Sequence, residues 1–322
     1  MIPQGQWKKK VYKRLKLALP LLAAAALCAA CAYPSAGAES AGMGEGAAGP
    51  PPRSAGEGQA LTASAAPSAT PEPTPEPTPE PVPPTAEHPA YEALYPELYA
   101  REAARASVNE EKTVYLTFDD GPSGRTPEIL DILKEYGVQA TFFTVGQTDG
   151  GAKAYMRRIV EEGHALGVHS FSHDYRKIYA GVEEFLEDFK AQYDLIYEAT
   201  GTYPQIFRFP GGSVNGYNGH IYQEIIAEMT RRGFVYFDWN VSAADAAQHP
   251  TAATVLAGAT NKISGLRRAF VLMHDSAPKT YTVEALPAVI EAYREAGFTF
   301  RTLSPEVLPL IFPYPDGGLP QG

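Results

Sequence analysis

The chain has 322 residues, enough for one large domain or two ordinary ones. Its 37 acidic and 27 basic side chains give a net charge of −10, which leaves nucleic-acid binding without electrostatic support and would repel a polyanion but not a neutral sugar chain. Both cysteines, Cys28 and Cys31, fall near the N-terminus, so everything downstream must rely on a packed core without disulfides.

Positive charge gathers at the start, in Lys8, Lys9, Lys10, Lys13, Arg14 and Lys16, and no acidic residue precedes Glu39. The uncharged apolar run Leu17 to Ala32 follows directly, so residues 1–33 read as a secretory signal or a membrane anchor. At about 16 residues the run is shorter than a typical membrane-spanning helix. Leu27-Cys28-Ala29-Ala30-Cys31 resembles a bacterial lipoprotein cleavage box with Cys31 as the lipidated residue, although Cys28 departs from that pattern. Cleavage, lipidation and retention all stay open. In each case the basic flank stays cytoplasmic and the remainder is exported to the cell surface or wall, with the membrane contacted through this segment. A Cys-x-x-Cys redox pair fits poorly, because the two cysteines end an apolar run instead of opening a helix after a strand.

Residues 34–109 read as a disordered linker rich in Ala, Gly, Ser, Pro and Glu. The repeat Thr70-Pro71-Glu72-Pro73-Thr74-Pro75-Glu76-Pro77 continues to Pro84 and favours extended polyproline II. Some fifty residues in that state would reach on the order of 150 Å, enough to hold a domain out from the membrane within a thick wall.

From Glu110 onward, short apolar runs alternate with amphipathic helical patterns, and a folded domain is expected over 110–311 with a tail at 312–322. Strands are predicted at Thr113–Phe118, Ala140–Val145, Ala165–His169, Gln205–Phe209, Phe234–Trp239, Ala269–His274 and Phe298–Leu303. Helices are predicted between them. Ile129, Ile132, Leu133 and Tyr136 share one helical face that stops at Gly137, and Val182, Phe185, Leu186, Phe189, Tyr193 and Ile196 mark another. Further helices are expected at Ala152–Glu162, Ile221–Arg232, Thr251–Ile263 and Val283–Glu295. Repeated strand–helix units describe a parallel α/β fold, and the lack of a Gly-rich nucleotide loop favours a barrel over an open sheet. Asp119, Asp120, His169, Arg208, Asp238 and His274 each stand at or just past the C-terminal end of a predicted strand, the rim where barrels build their active sites.

Thr117-Phe118-Asp119-Asp120-Gly121-Pro122 sets two carboxylates side by side, which repel one another unless a cation or a basic partner compensates. His169-Ser170-Phe171-Ser172-His173 places two histidines at i and i+4, a common grip on zinc when a further ligand is supplied. With Arg208-Phe209-Pro210-Gly211-Gly212, the segment Asp238 to Asp245 and Leu272-Met273-His274, these motifs in this order resemble the polysaccharide deacetylases of carbohydrate esterase family four, over Lys112 to Ser304. The resemblance implies a distorted (β/α) barrel with seven or eight mostly parallel strands. It implies Asp120, His169 and His173 as ligands of a divalent metal, zinc above cobalt, nickel or manganese. Asp119 would then be the general base, Arg208 its orienting partner and His274 the general acid. The family's fourth motif favours Asp245 as the partner of His274, with Asp238 as second choice. Leu272 would line an acetyl pocket, Trp239 would form part of its wall, and the Gly211 N–H would help hold the oxyanion. Two departures are visible: Gly211 stands where many members carry an aromatic residue, and Ala246 where a tryptophan is common. His164 reads as structural, and His220 and His249 have no assignable role.

The resulting expectation is a monomeric hydrolase that removes N-acetyl groups from a polysaccharide, N-acetylglucosamine of peptidoglycan or a chitin-like glycan foremost. O-deacetylation of xylan and a non-catalytic glycan-binding module are the alternatives. A glycosidase using Asp119 and Asp120 is disfavoured, because adjacent acids cannot flank a bond at the separation of about 5 to 10 Å that reaction needs.

Overall fold

The computed structural model describes residues 88–101, 107 and 111–315; the expected leader and most of the expected linker lie outside them. In chain order the elements are β1 (Thr113–Gly121), α1 (Thr126–Tyr136), β2 (Thr141–Thr144), α2 (Gly150–Glu161), β3 (Ala165–Val168), α3 (Tyr175–Ile178) and α4 (Val182–Thr200). They continue with β4 (Ile206–Phe207), α5 (Tyr222–Arg231), β5 (Val235–Tyr236), β6 (Val241–Ser242), α6 (Ala252–Thr260), β7 (Arg268–His274), α7 (Thr280–Glu295) and β8 (Thr299–Phe300). All pairings are parallel, in the order β5-β4-β3-β2-β1-β7-β6, with β8 joined to the lower part of β1. The sheet curls into a distorted (β/α) barrel whose edge strands, β5 and β6, are consecutive in the chain. Two short elements escape sequence reading, the two-residue strand β6 and the single-turn helix α3.

Side-chain alternation explains which residues face inward. On β1, Val114, Leu116 and Phe118 pack outward with Ile129, Leu133 and Leu286, whereas Tyr115 points into a central cluster with Phe143, Ile206, Phe237, Phe270 and Leu303. Thr117 and Asp119 share the parity of Tyr115 and so point inward as well. The β1–β7 register sets Tyr115 opposite Phe270, Thr117 opposite Leu272 and Asp119 opposite His274, which places these side chains in successive inner layers. The inner face is also crowded. At Gly167 on β3 a Cβ would fall 2.7 Å from Phe143 and 2.8 Å from the Ile206 carbonyl, so that position has room for no side chain. Helix α1 ends as its sequence predicts, with Gly137 in the left-handed region (φ 60°) and its N–H bonded to the carbonyls of Leu133 and Lys134.

Residues 88–101 fall inside the stretch expected to be linker, yet they pack on the domain: Leu98 is fully buried, and Tyr91, Tyr95 and Ala100 join the outer cluster around α4 and α5. The cause is a local change in composition, because Tyr91, Leu94, Tyr95, Leu98 and Tyr99 supply the apolar surface that the Pro/Ala/Glu repeat lacks. Arg232 fastens the segment. Its guanidinium donates to the carbonyls of Tyr91, Leu94, Tyr95 and Leu98, while Nε bonds Glu228 at 2.6 Å. At the other end, Phe312 and Tyr314 belong to the expected tail but pack against Trp239 and against Tyr222.

Arg232 and Glu228 are both buried; Glu228 also accepts from Arg231, so removing Arg232 leaves chiefly the four carbonyls of the docked segment without their donor. Arg232→Ala is expected to destabilise the domain by about 1–3 kcal/mol. The shift in urea midpoint checks this, and Arg101→Ala at the exposed end of the same segment should move it far less.

Candidate active site

Asp119 and Asp120 end β1, His169 follows β3, Arg208 follows β4 and His274 ends β7, so these residues meet on the C-terminal rim. Asp120 Oδ1 lies 3.5 Å from His169 Nε2 and 3.3 Å from His173 Nε2, and one donor atom from each of the three falls within 4.8 Å of the others. His169 Nδ1 stands 2.8 Å from the Arg208 carbonyl, which can only accept, so Nδ1 carries the proton and donates it. The Nε2 lone pair is thereby aimed at a carboxylate oxygen. Two lone pairs facing each other at this distance are repulsive unless a cation joins them, and the donor set of two imidazoles and a carboxylate fits a divalent metal. His173 titrates below the usual histidine range, because burial and then the neighbouring His169 disfavour its charged form. That keeps a second lone pair available.

Local backbone makes the cluster possible. Asp120 and His173 are both in the left-handed region, at φ 70° and 53°. Such a conformation costs on the order of 1–3 kcal/mol in a non-glycine residue and must be held by its surroundings. For His173 the holder is Asp188, which is buried on α4 and accepts from Ser170 Oγ (2.6 Å), the Phe171 N–H (2.8 Å) and the Ser172 N–H (2.8 Å). Ser170 Oγ in turn accepts from the His173 N–H. For Asp120 it is the turn after β1, where Asp275 accepts from Ser123 Oγ (3.0 Å) and Thr126 Oγ1 (2.6 Å) and donates its own N–H to the Asp119 carbonyl. Burial pushes the Asp275 carboxyl up to about 7. Sequence reading singled out neither acid. The available signal was an aspartate on the apolar face of α4, and a second one directly after His274.

Arg208 is wholly buried. Its Nη1 donates to Asp119 Oδ1 (3.0 Å) and Thr117 Oγ1 (2.6 Å), Nε to the Phe237 carbonyl (2.8 Å) and Nη2 to the Asp238 carbonyl (3.2 Å), with the ring of Phe143 4.5 Å away. Asp119 Oδ2 is left free of the guanidinium and lies 3.9 Å from His169 Nε2.

The carboxylate that touches His274 is Asp245, whose Oδ1 meets Nδ1 at 2.8 Å while Oδ2 accepts the His274 N–H (2.7 Å) and Thr282 Oγ1 (2.8 Å). Burial alone would lower the His274 pKa. The Asp245 hydrogen bond and charge, with Asp119 and Asp120, outweigh it and raise it. Asp245 moves the opposite way: burial would raise it, and its bonds to His274 and Thr282 bring it below the usual range. Asp238, the other candidate partner, is engaged elsewhere, accepting from the N–H and Oγ of Ser213 and from the Phe312 N–H. Leu272 is buried on β7 with the inward parity of His274. Trp239 is half-buried, edge-on to Phe312 at 4.8 Å. Gly211 has φ 77°, and its N–H has no backbone acceptor among the described residues. His164 accepts the Ala140 N–H, and burial pushes it down to about 4, so it is a neutral core residue.

Residues 106–232 match the family model for polysaccharide deacetylase. The chain is 32% identical over 212 residues to a peptidoglycan-N-acetylglucosamine deacetylase of Bacillus cereus, covering 63% of this chain and 73% of that one. The chain belongs to the polysaccharide deacetylase family. Among solved structures, this deacetylase is similar to the catalytic domain of peptidoglycan N-acetylglucosamine deacetylase from Eubacterium rectale, with a TM-score of 0.59, 34% identity, and 63% of this chain and 93% of that one covered. It is also similar to the Xyl-CE4 domain of a multidomain xylanase from the hindgut metagenome of Trinervitermes trinervoides, with a TM-score of 0.51, 27% identity, and 65% and 100% covered. Enzymes of this family are metal-dependent in general, and the Asp120–His169–His173 cluster is where this deacetylase can hold an ion.

Because Asp245 is what raises His274, Asp245→Asn is expected to lower the His274 pKa. Following the imidazole proton shifts by NMR across pH measures the change; an unmoved titration would refute the pairing.

Proposed function

We propose that this deacetylase hydrolyses N-acetyl groups on N-acetylglucosamine residues of a cell-wall glycan, peptidoglycan foremost. The observation that carries it is the single rim on which a three-donor cluster adjoins two separately polarised pairs, Asp119–Arg208 and His274–Asp245. The similarity to peptidoglycan N-acetylglucosamine deacetylases of Bacillus cereus and Eubacterium rectale supports peptidoglycan as the glycan. Asp120, His169 and His173 would hold the ion, with zinc the first choice for two imidazoles and one carboxylate. A bound divalent metal supplies Lewis acidity, which polarises an acyl carbonyl and acidifies water.

The protein's own groups divide the proton work. Asp119 takes the proton of the attacking water at Oδ2, since Oδ1 is occupied by Arg208, and the guanidinium keeps the carboxylate oriented. The Gly211 N–H, lacking a backbone acceptor, donates to the carbonyl oxygen as negative charge develops. His274 Nε2 gives a proton to the departing amine, because Nδ1 is held by Asp245. The C–N bond breaks, a C–O bond forms, and the products are acetate and a free amine. Leu272 and Trp239 would enclose the methyl group. The domain would work outside the cytoplasm as a monomer, on a tether made of residues 1–33 and the linker up to the docked segment at 88–101.

Similarity to a xylanase-associated domain favours a second reading, O-deacetylation of xylan. Acetate release by the chelator-treated full chain, with and without added zinc or cobalt, on peptidoglycan, chito-oligosaccharide and acetylated xylan separates the two. Zinc-restored release from the N-acetylated glycans is expected, and release from xylan alone would overturn the N-acetyl reading. Asp119→Asn is expected to lower kcat by roughly 10²- to 10⁴-fold while the protein still binds the ion. His274 must be protonated to act, so its raised pKa extends activity to higher pH than an ordinary histidine with a pKa of about 6.5 would allow. Asp245→Asn should shift the alkaline limb of kcat/KM to lower pH.

A further inference from the structure

Tyr175 opens α3 two residues after His173, and its ring meets the His173 imidazole edge-on, with centroids 5.3 Å apart at 89°. It packs as well on Tyr217, centroids 5.0 Å apart. It also fills the space in front of Gly211: a Cβ there would lie 2.8 Å from Tyr175 Cε1 and 3.3 Å from its hydroxyl oxygen. The wall beside the Arg208–Gly212 turn is thus made by a ring from α3 and not by a side chain of the turn. Tyr217 continues that wall outward. At 54% exposure it is the most exposed of the large apolar side chains among the described residues.

The loop that presents Tyr217 is fixed. Asn215 Oδ1 accepts the Tyr217 N–H (2.8 Å), and Asn215 Nδ2 donates to the carbonyls of Pro210 (3.1 Å) and Gly212 (3.0 Å). Asn218 Oδ1 accepts the Asn215 N–H, and its Nδ2 donates to the Ser213 carbonyl. Tyr179, under Tyr175, donates its hydroxyl to the Pro210 carbonyl at 2.7 Å. A ring held in water by a rigid loop loses little freedom when something stacks on it. Its apolar face and polar tip match the apolar C–H face and hydroxylated edge of a pyranose.

We propose that Tyr175 and Tyr217 form a sugar-stacking subsite that runs outward from His173 and receives the pyranose next to the one being deacetylated, so that this enzyme prefers oligomers over the monosaccharide. The occupant follows from continuity with the metal cluster, since a glycan with one acetyl group at that cluster must lay its neighbouring unit along the adjoining wall. The subsite rests on the glycan reading above, and the test keeps the two apart. With the zinc-loaded full chain on N-acetylglucosamine and N-acetylated chito-oligosaccharides of two to five units, Tyr217→Ala should raise KM for the oligomers about tenfold more than for the monosaccharide, with kcat little moved. Tyr217→Phe, which keeps the ring, should restore the preference for oligomers. An equal loss at every length, no change at any length, or failure of Phe to restore would each overturn the subsite. Should the wild type release no acetate from any oligomer, the deacetylation reading fails and calorimetric binding of glucosamine tetramer to the full chain decides on the subsite. About tenfold weaker binding by Tyr217→Ala, restored by Phe, upholds it, and equal binding by all three proteins sinks it.

Discussion

Arg208 is wholly removed from water, and an isolated cation there would cost several kcal/mol. What makes it tolerable is that its donors are used on four partners from three places in the barrel: Thr117 and Asp119 on β1, the Phe237 carbonyl after β5, and the Asp238 carbonyl beyond it. Its own carbonyl fixes the tautomer of His169. The buried charge therefore orients the carboxylate proposed as base and ties the last strand before the barrel's open edge to its centre, while the backbone of the same residue aims one nitrogen of the donor cluster. Removing the side chain would disturb the first two together and leave the carbonyl in place, so a single substitution could not apportion those two effects.

The adjacent carboxylates pose a geometric problem that the backbone solves. Neighbours on a regular strand face opposite sides, so Asp119 and Asp120 could not both reach one site from an ideal β1. The β1–β2 register slips between Asp119 and Gly121, and Asp120 turns into the left-handed region, where aspartate is better tolerated than most residues. Both carboxylates then come within 4 Å of the same nitrogen, His169 Nε2, at 3.9 Å and 3.5 Å. Their repulsion is divided, one acid being answered by Arg208 and the other left for an ion. Four further buried aspartates surround them, namely Asp188, Asp238, Asp245 and Asp275, each satisfied by hydroxyls, backbone N–H groups or an imidazole. They shape the loops that carry the site.

This division explains what could be read from the chain directly. Strand parity and the step from strand to loop are local properties, so the inward faces of β1 and β7 and the rim positions of Asp119, His169, Arg208 and His274 are legible in the pattern. The pairing of Asp245 with His274 was open on residue chemistry alone, because Asp238 sits equally near a strand end and only the fold shows its oxygens taken by Ser213 and Phe312. Asp188 was hidden because its partners lie 16 to 18 positions earlier and its helix looks merely amphipathic. The two-residue β6 carries too little sequence to show a period, and the docking of residues 88–101 depends on Arg232, more than 130 positions away.

The walls of the cleft obey a different logic from its floor. The floor is built from strand ends, whose spacing is set by hydrogen-bonded register and cannot vary without unmaking the barrel. The walls come from segments outside the strands: Tyr175 from a single turn of helix, Tyr217 from an asparagine-bound loop, and Phe312 from the stretch after β8, which reaches Trp239 and occupies the space in front of Gly212. A Cβ on Gly212 would fall 2.6 Å from Phe312, as one on Gly211 would fall 2.8 Å from Tyr175. The two glycines thus mark where the turn after β4 withdraws and distant aromatic rings take its place. Positions fixed by register and contacts supplied by loops can change independently, so the walls can be refitted to a different glycan while the strand-end residues of the floor stay as they are.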